Sequence, residues 1–193
     1  LDIECEFLHV HGTRGALFKV TLLSHGYTFV GKGVPIEFIK HVQHEECVYS
    51  HLRPIQGVHI PVLLGSLALR QPFSYDGIAE IMHLMFMGYA GRTLAKRHEI
   101  DPSRLLRQAE ISLHAIHRLG VLHNDPIPGN MVWNEVSGVM YIDFERAQFQ
   151  ERRAPLESIA NQKRKPTTEW EKTLKRSSCF EQEIRRMRHA LRW

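Results

Sequence analysis

The sequence predicts an α+β fold in which a small antiparallel β-rich lobe joins a mostly helical one. Three observations carry this. Short runs of β-formers separated by turn residues dominate the first third. The stretch from Asp101 to Gly120 has the apolar stripe and both end signals of an amphipathic helix. A polar loop and a pair of short strands follow it.

Ala16–Leu23 and Tyr27–Val30 are rich in branched and aromatic residues, and Ser24-His25-Gly26 between them suits a hairpin turn. His9 and His11 alternate along a further candidate strand and receive no function. Glu37–Leu52 reads as a helix, since Phe38, Ile39, Val42, Cys47, Val48 and Leu52 fall at helical spacing and Arg53-Pro54 ends it. Ile60–Leu69 is apolar and extended, with Pro61 at its entrance, and Ala79–Met87 has the pattern of a buried strand. Asp101 then caps a helix whose first turn holds Pro102. Leu105, Leu106, Ala109, Leu113, Ile116 and Leu119 form its stripe, and Gly120 stops it. The loop His123–Asn130 leads into strands Met131–Trp133 and Val139–Asp143, joined by a turn at Gly138. Residues 151–168 read as a polar linker, and Glu169–Trp193 as a helix docked through Trp170, Phe180, Met187 and Trp193. The expected division is one domain over 1–150, with lobes at about 1–90 and 91–150, followed by a basic linker and tail over 151–193.

Composition excludes several classes. With 193 residues, 43% hydrophobic and 24% charged, the chain is neither disordered throughout, collagenous nor a coiled coil. No membrane span is expected, because the most apolar stretch, Ile78–Ala90, is short and holds Glu80 and His83. No signal peptide opens the chain, and its start at Leu1 rather than Met fits a fragment or a processed product. Three well-separated cysteines form no disulfide framework, which points to a reducing compartment, cytoplasmic or nuclear. Residues 151–193 carry 12 Lys/Arg and 6 Asp/Glu, leaving 1–150 at a net charge of −2. The favoured reading of that tail is a solvated helix with a basic outer face, and nucleic acid is not expected as a partner. Lys163-Arg164-Lys165 is a weaker candidate for nuclear import. His41 with His44, and His114 with His117, have the spacing of helical chelating pairs but lack a Cys/His partner pair, so they read as packing or surface residues. No G-x-S-x-G elbow marks a hydrolase.

The chemistry gathers in His123-Asn124-Asp125-Pro126-Ile127-Pro128-Gly129-Asn130 and Tyr141-Ile142-Asp143-Phe144-Glu145. A carboxylate, an amide five residues on and a second carboxylate 18 residues on flank a hairpin that brings them to one end. Asn and Asp offer the oxygen donors that magnesium prefers, and the other aspartate is free to hydrogen-bond a hydroxyl. The plainer alternative is a loop whose Asp and Asn only cap turns.

This stretch resembles the catalytic loop and metal-binding motif of the protein-kinase-like superfamily. The resemblance implies Asp125 as catalytic base, His123 as the brace of the loop, and Asn130 and Asp143 as Mg²⁺ ligands, with ATP as cofactor. Upstream it places Gly12 and Gly15, in Gly12-Thr13-Arg14-Gly15, over the phosphates and makes Lys32 the phosphate-binding lysine. The plain reading of Lys32 is an exposed surface lysine. Glu46 becomes the ion-pair partner of Lys32, with the adjacent Glu45 as the alternative. Glu46-x-x-Tyr49-x-x-Leu52 and Gln56-Gly57-x-x-Ile60-Pro61 are similar to fungal protein-kinase-like proteins. So is Met85–Leu94, where Met87 and Tyr89 would offer backbone groups to adenine. Asn161–Pro166 resembles the tail of that group, and the likeness covers about residues 5–150.

The fold so implied is bilobal, with a sheet-plus-one-helix lobe, a hinge at Gly88–Gly91, a shortened helical lobe, and ATP with Mg²⁺ between them. The implied function is transfer of the ATP γ-phosphate to a Ser/Thr hydroxyl of a protein. The chain departs from the pattern at Glu145, which replaces a glycine, and at Pro126 and Pro128, which stiffen the loop. It also lacks an Ala-Pro-Glu motif in the 48 residues that follow Glu145. Two alternatives therefore stand beside the first. One is a small-alcohol kinase, since Ile142-Asp143-Phe144-Glu145 is also similar to choline and ethanolamine kinases. The other is an inactive pseudokinase or truncated remnant acting as a binding module. The hydroxyl acceptor, protein or small alcohol, is left unidentified.

Overall fold

The computed structural model describes residues 2–12, 15–75, 79–95, 100–150 and 167–192. Among the described residues it is an α+β fold with one five-stranded antiparallel sheet and three α-helices. The expected hairpin forms from β2 (Gly15–Leu22) and β3 (Tyr27–Val34). At its turn the N–H groups of His25 and Gly26 both donate to Leu22 O, and Gly26 takes φ +66°, where a residue without Cβ is unstrained. Strand β1 (Ile3–Gly12) pairs along the outer side of β2.

β3 runs four residues beyond the expected Val30 and so carries Lys32 inside the sheet, opposite Leu17 of β2 and Met85 of the neighbouring strand. The polar and glycine-rich run Gly31-Lys32-Gly33 hides this extension from propensity. Packing requires it: a Cβ on Gly33 would meet Ile81 at 2.9 Å, and one on Gly15 would meet Gly33 O at 2.6 Å.

Beyond β3 lie β4 (Leu63–Tyr75) and β5 (Ala79–Gly88), giving the order β1-β2-β3-β5-β4. β4 begins later and ends later than the expected Ile60–Leu69. Its second half was hidden by Arg70-Gln71-Pro72, which sits where the register slips between Ala68 and Phe73. A proline is tolerated there because the ladder needs no N–H at that point.

α1 (Ile39–His51) follows a 3₁₀ turn at Ile36–Phe38 and ends in another at Arg53–Ile55, close to the expected limits. It turns Val42, Glu45, Val48 and Tyr49 inward. β6 (Arg92–Thr93) comes before α2 (Pro102–Arg118), which buries Leu105, Ala109, Leu113 and Ile116 as its stripe predicts. Asp101 accepts the Arg104 N–H at 2.7 Å, and Gly120 takes φ +76° past the end.

β7 (Val121–Leu122), β8 (Met131–Asn134) and β9 (Gly138–Tyr141) come next, and β10 (Gln148–Phe149) returns to pair with β7. The β8–β9 hairpin also pairs with β6, and at Gly91 (φ +119°) an added Cβ would overlap the carbonyl of Trp133. Asp143, expected in the strand, lies outside it, because β9 stops at Tyr141.

α3 (Thr167–Ala190) docks through Phe180, Ile184, Met187 and Leu191, which sit on one helical face. The expected linker through residue 166, the Lys163-Arg164-Lys165 run, Thr13, Arg14 and the side chains of Trp170 and Trp193 lie outside the described residues. One core runs through α1, α2, the β8–β9 hairpin and α3, centred on Tyr49, Leu113, Met131, Tyr141, Phe144 and Met187. The three cysteines are free thiols. Among the described residues no helix is long and apolar enough to cross a membrane.

Two substitutions measure these terms in urea. Asp101→Ala removes the cap and lowers stability by about 1 kcal/mol. Leu113→Ala, at a site with no exposure, lowers it by roughly 2–5 kcal/mol. Both should move the midpoint with unchanged slope.

Candidate functional site

Lys32 reaches from the middle of the sheet toward α1, and its ammonium is shared by two carboxylates. Nζ lies 2.6 Å from Glu45 Oε2 and 3.1 Å from Asp143 Oδ1. The lysine side chain is only 14% exposed, so the plain surface reading does not hold. Burial pulls the Lys32 pKa down, but Glu45 and Asp143 outweigh it and hold the ammonium above its ordinary value. Glu45 is fully buried, which raises its carboxyl against the pull of Lys32. Its second oxygen accepts the Phe144 N–H at 3.2 Å, so one side chain joins the sheet, α1 and the turn after Asp143.

The expected partner Glu46 is corrected to Glu45. Val42, Glu45, Val48 and Tyr49 share the inward face of α1, and residue 46 is turned about 100° further round the helix. Glu46 meets His83 Nε2 at 2.7 Å instead.

The loop is set from beneath by His123. Its Nε2 donates to Ile142 O at 3.0 Å, and Nδ1 accepts the Asp125 N–H at 3.3 Å. That assigns a neutral imidazole, and burial lowers its pKa accordingly. The ring packs against Tyr141 and Phe144. Asn130 Nδ2 donates to Asp125 O at 3.0 Å and to Asp125 Oδ2 at 3.1 Å, neither of which uses its amide oxygen. Ile142 N–H donates to Asn130 O, closing the loop onto the hairpin.

Among the described residues the non-glycine positions with left-handed backbone are Asn124 (φ +65°) and Asp143 (φ +64°), and both are here. Asn and Asp tolerate that conformation better than most residues. The turn redirects Asp143 away from the strand and toward Lys32.

The structure thus gathers Lys32, His123, Asp125, Asn130 and Asp143. The other expected residues are placed differently. Gly12 pairs with Gly15, whose neighbour Ala16 pairs with Gly33, and the close approach of Gly33 accounts for Gly15 by packing. Met87 is 7% exposed and pairs with Val30 and Leu63 in the sheet. The Tyr89 N–H, expected to face adenine, donates to Thr28 O at 3.4 Å.

Two contributors escaped the sequence reading. Arg146 Nη1 lies 3.6 Å from Asp125 Oδ2. Glu183 of α3 is fully buried; its Oε2 accepts from His117 Nε2 at 2.7 Å and from the His123 N–H at 3.1 Å, and its Oε1 from the Asn124 N–H. Burial works to raise the Glu183 pKa, but the bonds from His117 and Asn124 hold it below the ordinary range. The available signal was a carboxylate inside the apolar stripe Phe180, Ile184, Met187, Leu191. His117 is a buried partner of this carboxylate.

No family model matches the chain. Among curated proteins, the chain is 39% identical to the meiotic driver SPOK2 of Podospora anserina over a match of 147 residues that covers 74% of the chain. The chain spans 18% of that protein's length. This finding corrects the expected family and the expected function with its alternatives. The chain is similar to a protein named as a meiotic driver and not as a kinase, so membership of the protein-kinase-like superfamily is withdrawn. The expected Ser/Thr phosphotransferase is withdrawn with it, as are the small-alcohol kinase and the inactive-remnant alternatives.

The assignment of Glu45 has a direct consequence. Glu45→Gln leaves Lys32 buried with half its compensation and lowers stability by roughly 3 kcal/mol, while Glu46→Gln costs less than about 1 kcal/mol. Urea titration of both variants checks the order, and a larger loss in Glu46→Gln contradicts it. The buried neutral His123 makes stability depend on acid. The unfolded chain takes up that proton near pH 6.5 and the folded one resists it, so stability falls as pH drops below that value. Urea midpoints at pH 7.5 and 5.5 should diverge more in the parent than in His123→Gln.

Proposed function

We propose that Lys32, Asp125, Asn130 and Asp143 line a cleft that binds ATP with Mg²⁺, and that the chain is the nucleotide-binding part of a meiotic-driver-like protein. The carrying observation is the Lys32 ammonium shared between Glu45 and Asp143. Glu45 fixes the ammonium in place, while Asp143, 42% exposed, is the partner that polyphosphate can displace.

The residues present fit magnesium. Among the described residues no group of three or more His, Cys, Asp or Glu is placed to hold a metal ion. Magnesium is usually held by one or two carboxylates together with substrate phosphates, and Asp143 with the Asn130 amide oxygen is a set of that kind. When bound, the metal would neutralise phosphate charge. The chain's own residues position the ligand: Lys32 at the phosphates, His123 and Asn130 keeping Asp125 in its loop. In this proposal the molecule has two lobes, the sheet with α1 and the α2 unit with its hairpin, with the nucleotide between them.

Calorimetric titration tests this. ATP should bind the parent in the presence of magnesium and more weakly without it, and Asp143→Asn should lose roughly tenfold or more of the magnesium-dependent affinity. Absence of binding to the parent, or equal binding to the variant, overturns the reading. In a driver that carries this segment, Asp143→Asn should return transmission in crosses to the Mendelian ratio; undiminished drive contradicts a part for this site in drive.

A further inference from the structure

Each of the two exposed-side carboxylates in the cleft carries its own cation: Asp143 has Lys32, and Asp125 has Arg146. The two cations are held very differently. Lys32 is buried and tied to Glu45 at 2.6 Å, whereas the Arg146 side chain is 67% exposed and stands 3.6 Å from Asp125, beyond hydrogen-bonding distance. An exposed pair of that geometry is worth little and is readily exchanged for a better anion.

The backbone beneath Arg146 is fixed by contrast. Phe144–Arg146 is a 3₁₀ turn closed by the Ala147 N–H on Phe144 O, the Phe144 N–H is held by Glu45, and Arg146 O accepts Asn124 Nδ2 at 3.0 Å. Asn124 is in turn fixed by Glu183. The arrangement is a free guanidinium on an anchored stem.

The charges run in a series of two parts, Glu45–Lys32–Asp143 and Asn130–Asp125–Arg146, joined through the backbone where the Ile142 N–H, one residue before Asp143, donates to Asn130 O. A metal-carrying polyphosphate laid along this series would meet Lys32 at its inner phosphates and Arg146 at its outer end. A guanidinium is the side chain best shaped to grip a terminal phosphate with paired N–H donors.

We infer that Arg146 is a specificity-determining residue that grips the terminal phosphate and makes the site select nucleoside triphosphate over diphosphate. This rests on the nucleotide-binding reading above. It differs from a role in which Arg146 only neutralises Asp125. In that case its removal would leave the cleft more negative and change the affinity for both nucleotides together.

The experiment titrates magnesium with ATP and with ADP into the parent, Arg146→Gln and Arg146→Lys. The parent should prefer ATP. Arg146→Gln should lose roughly tenfold in ATP affinity with ADP changed less than about twofold, and Arg146→Lys should recover part of the preference. If the parent binds both nucleotides and Arg146→Gln shifts them equally, in either direction, this inference is overturned while nucleotide binding stands. If the parent binds neither, both are overturned. Circular dichroism and urea midpoints of the variants, expected within about 0.5 kcal/mol of the parent for so exposed a side chain, show that the loss is not one of folding.

Discussion

The Glu45–Lys32–Asp143 ion pair set is the interaction on which the rest of the site depends. It is the only point at which the central strand of the sheet, the buried face of α1 and the turn after β9 are joined by one set of charges among the described ion pairs. A buried carboxylate on α1 would be costly alone, and so would a lysine inside a sheet. Each exists because the other is there, and Phe144 N–H takes up the remaining carboxylate oxygen. Such a set is weak evidence for stability and stronger evidence for function, since apolar residues of the same volume would hold these elements at least as well.

Conformational strain is concentrated at the same place. Two non-glycine residues in left-handed backbone, Asn124 and Asp143, cost on the order of 1–3 kcal/mol each at worst and less for these residue types. Both are over-determined by bonds. Asn124 is held by Glu183 from below and bonds Arg146 O from its side chain, while Asp143 is held by Lys32 and by the turn that Glu45 caps. The loop geometry is therefore imposed by α1 and α3 from two directions. The tail helix is a structural part of the site and not merely a basic appendage.

The legible parts of the sequence were those with local signals. Asp101, the stripe through Leu113 and Gly120 specify α2 without help from elsewhere, and the two ends of the His123–Glu145 stretch are brought together by a hairpin that its own turn glycine announces. The parts that stayed hidden depend on distant partners. Glu45 and Glu46 differ only in helical phase, and a stripe loose enough to admit Cys47, which proves exposed, cannot fix that phase. Glu183 lies 59 residues from Asn124 in a segment whose net charge advertises a solvated surface. The extension of β3 through Gly31-Lys32-Gly33 is dictated by close packing against Ile81, which no propensity scale records. The resemblance of the loop to a known family located the residues that come together, yet the identity it suggested was overturned by the likeness to a meiotic driver.

On the proposed nucleotide-binding function, Lys32, held by Glu45, would exchange Asp143 for phosphate when a magnesium nucleotide enters. A crystal structure of the chain with magnesium and a non-hydrolysable ATP analogue tests it most directly. Lys32 is expected still on Glu45 but in contact with phosphate oxygens, with the metal on Asp143 and the Asn130 amide oxygen. Lys32 remaining on Asp143 with the nucleotide bound elsewhere would contradict it.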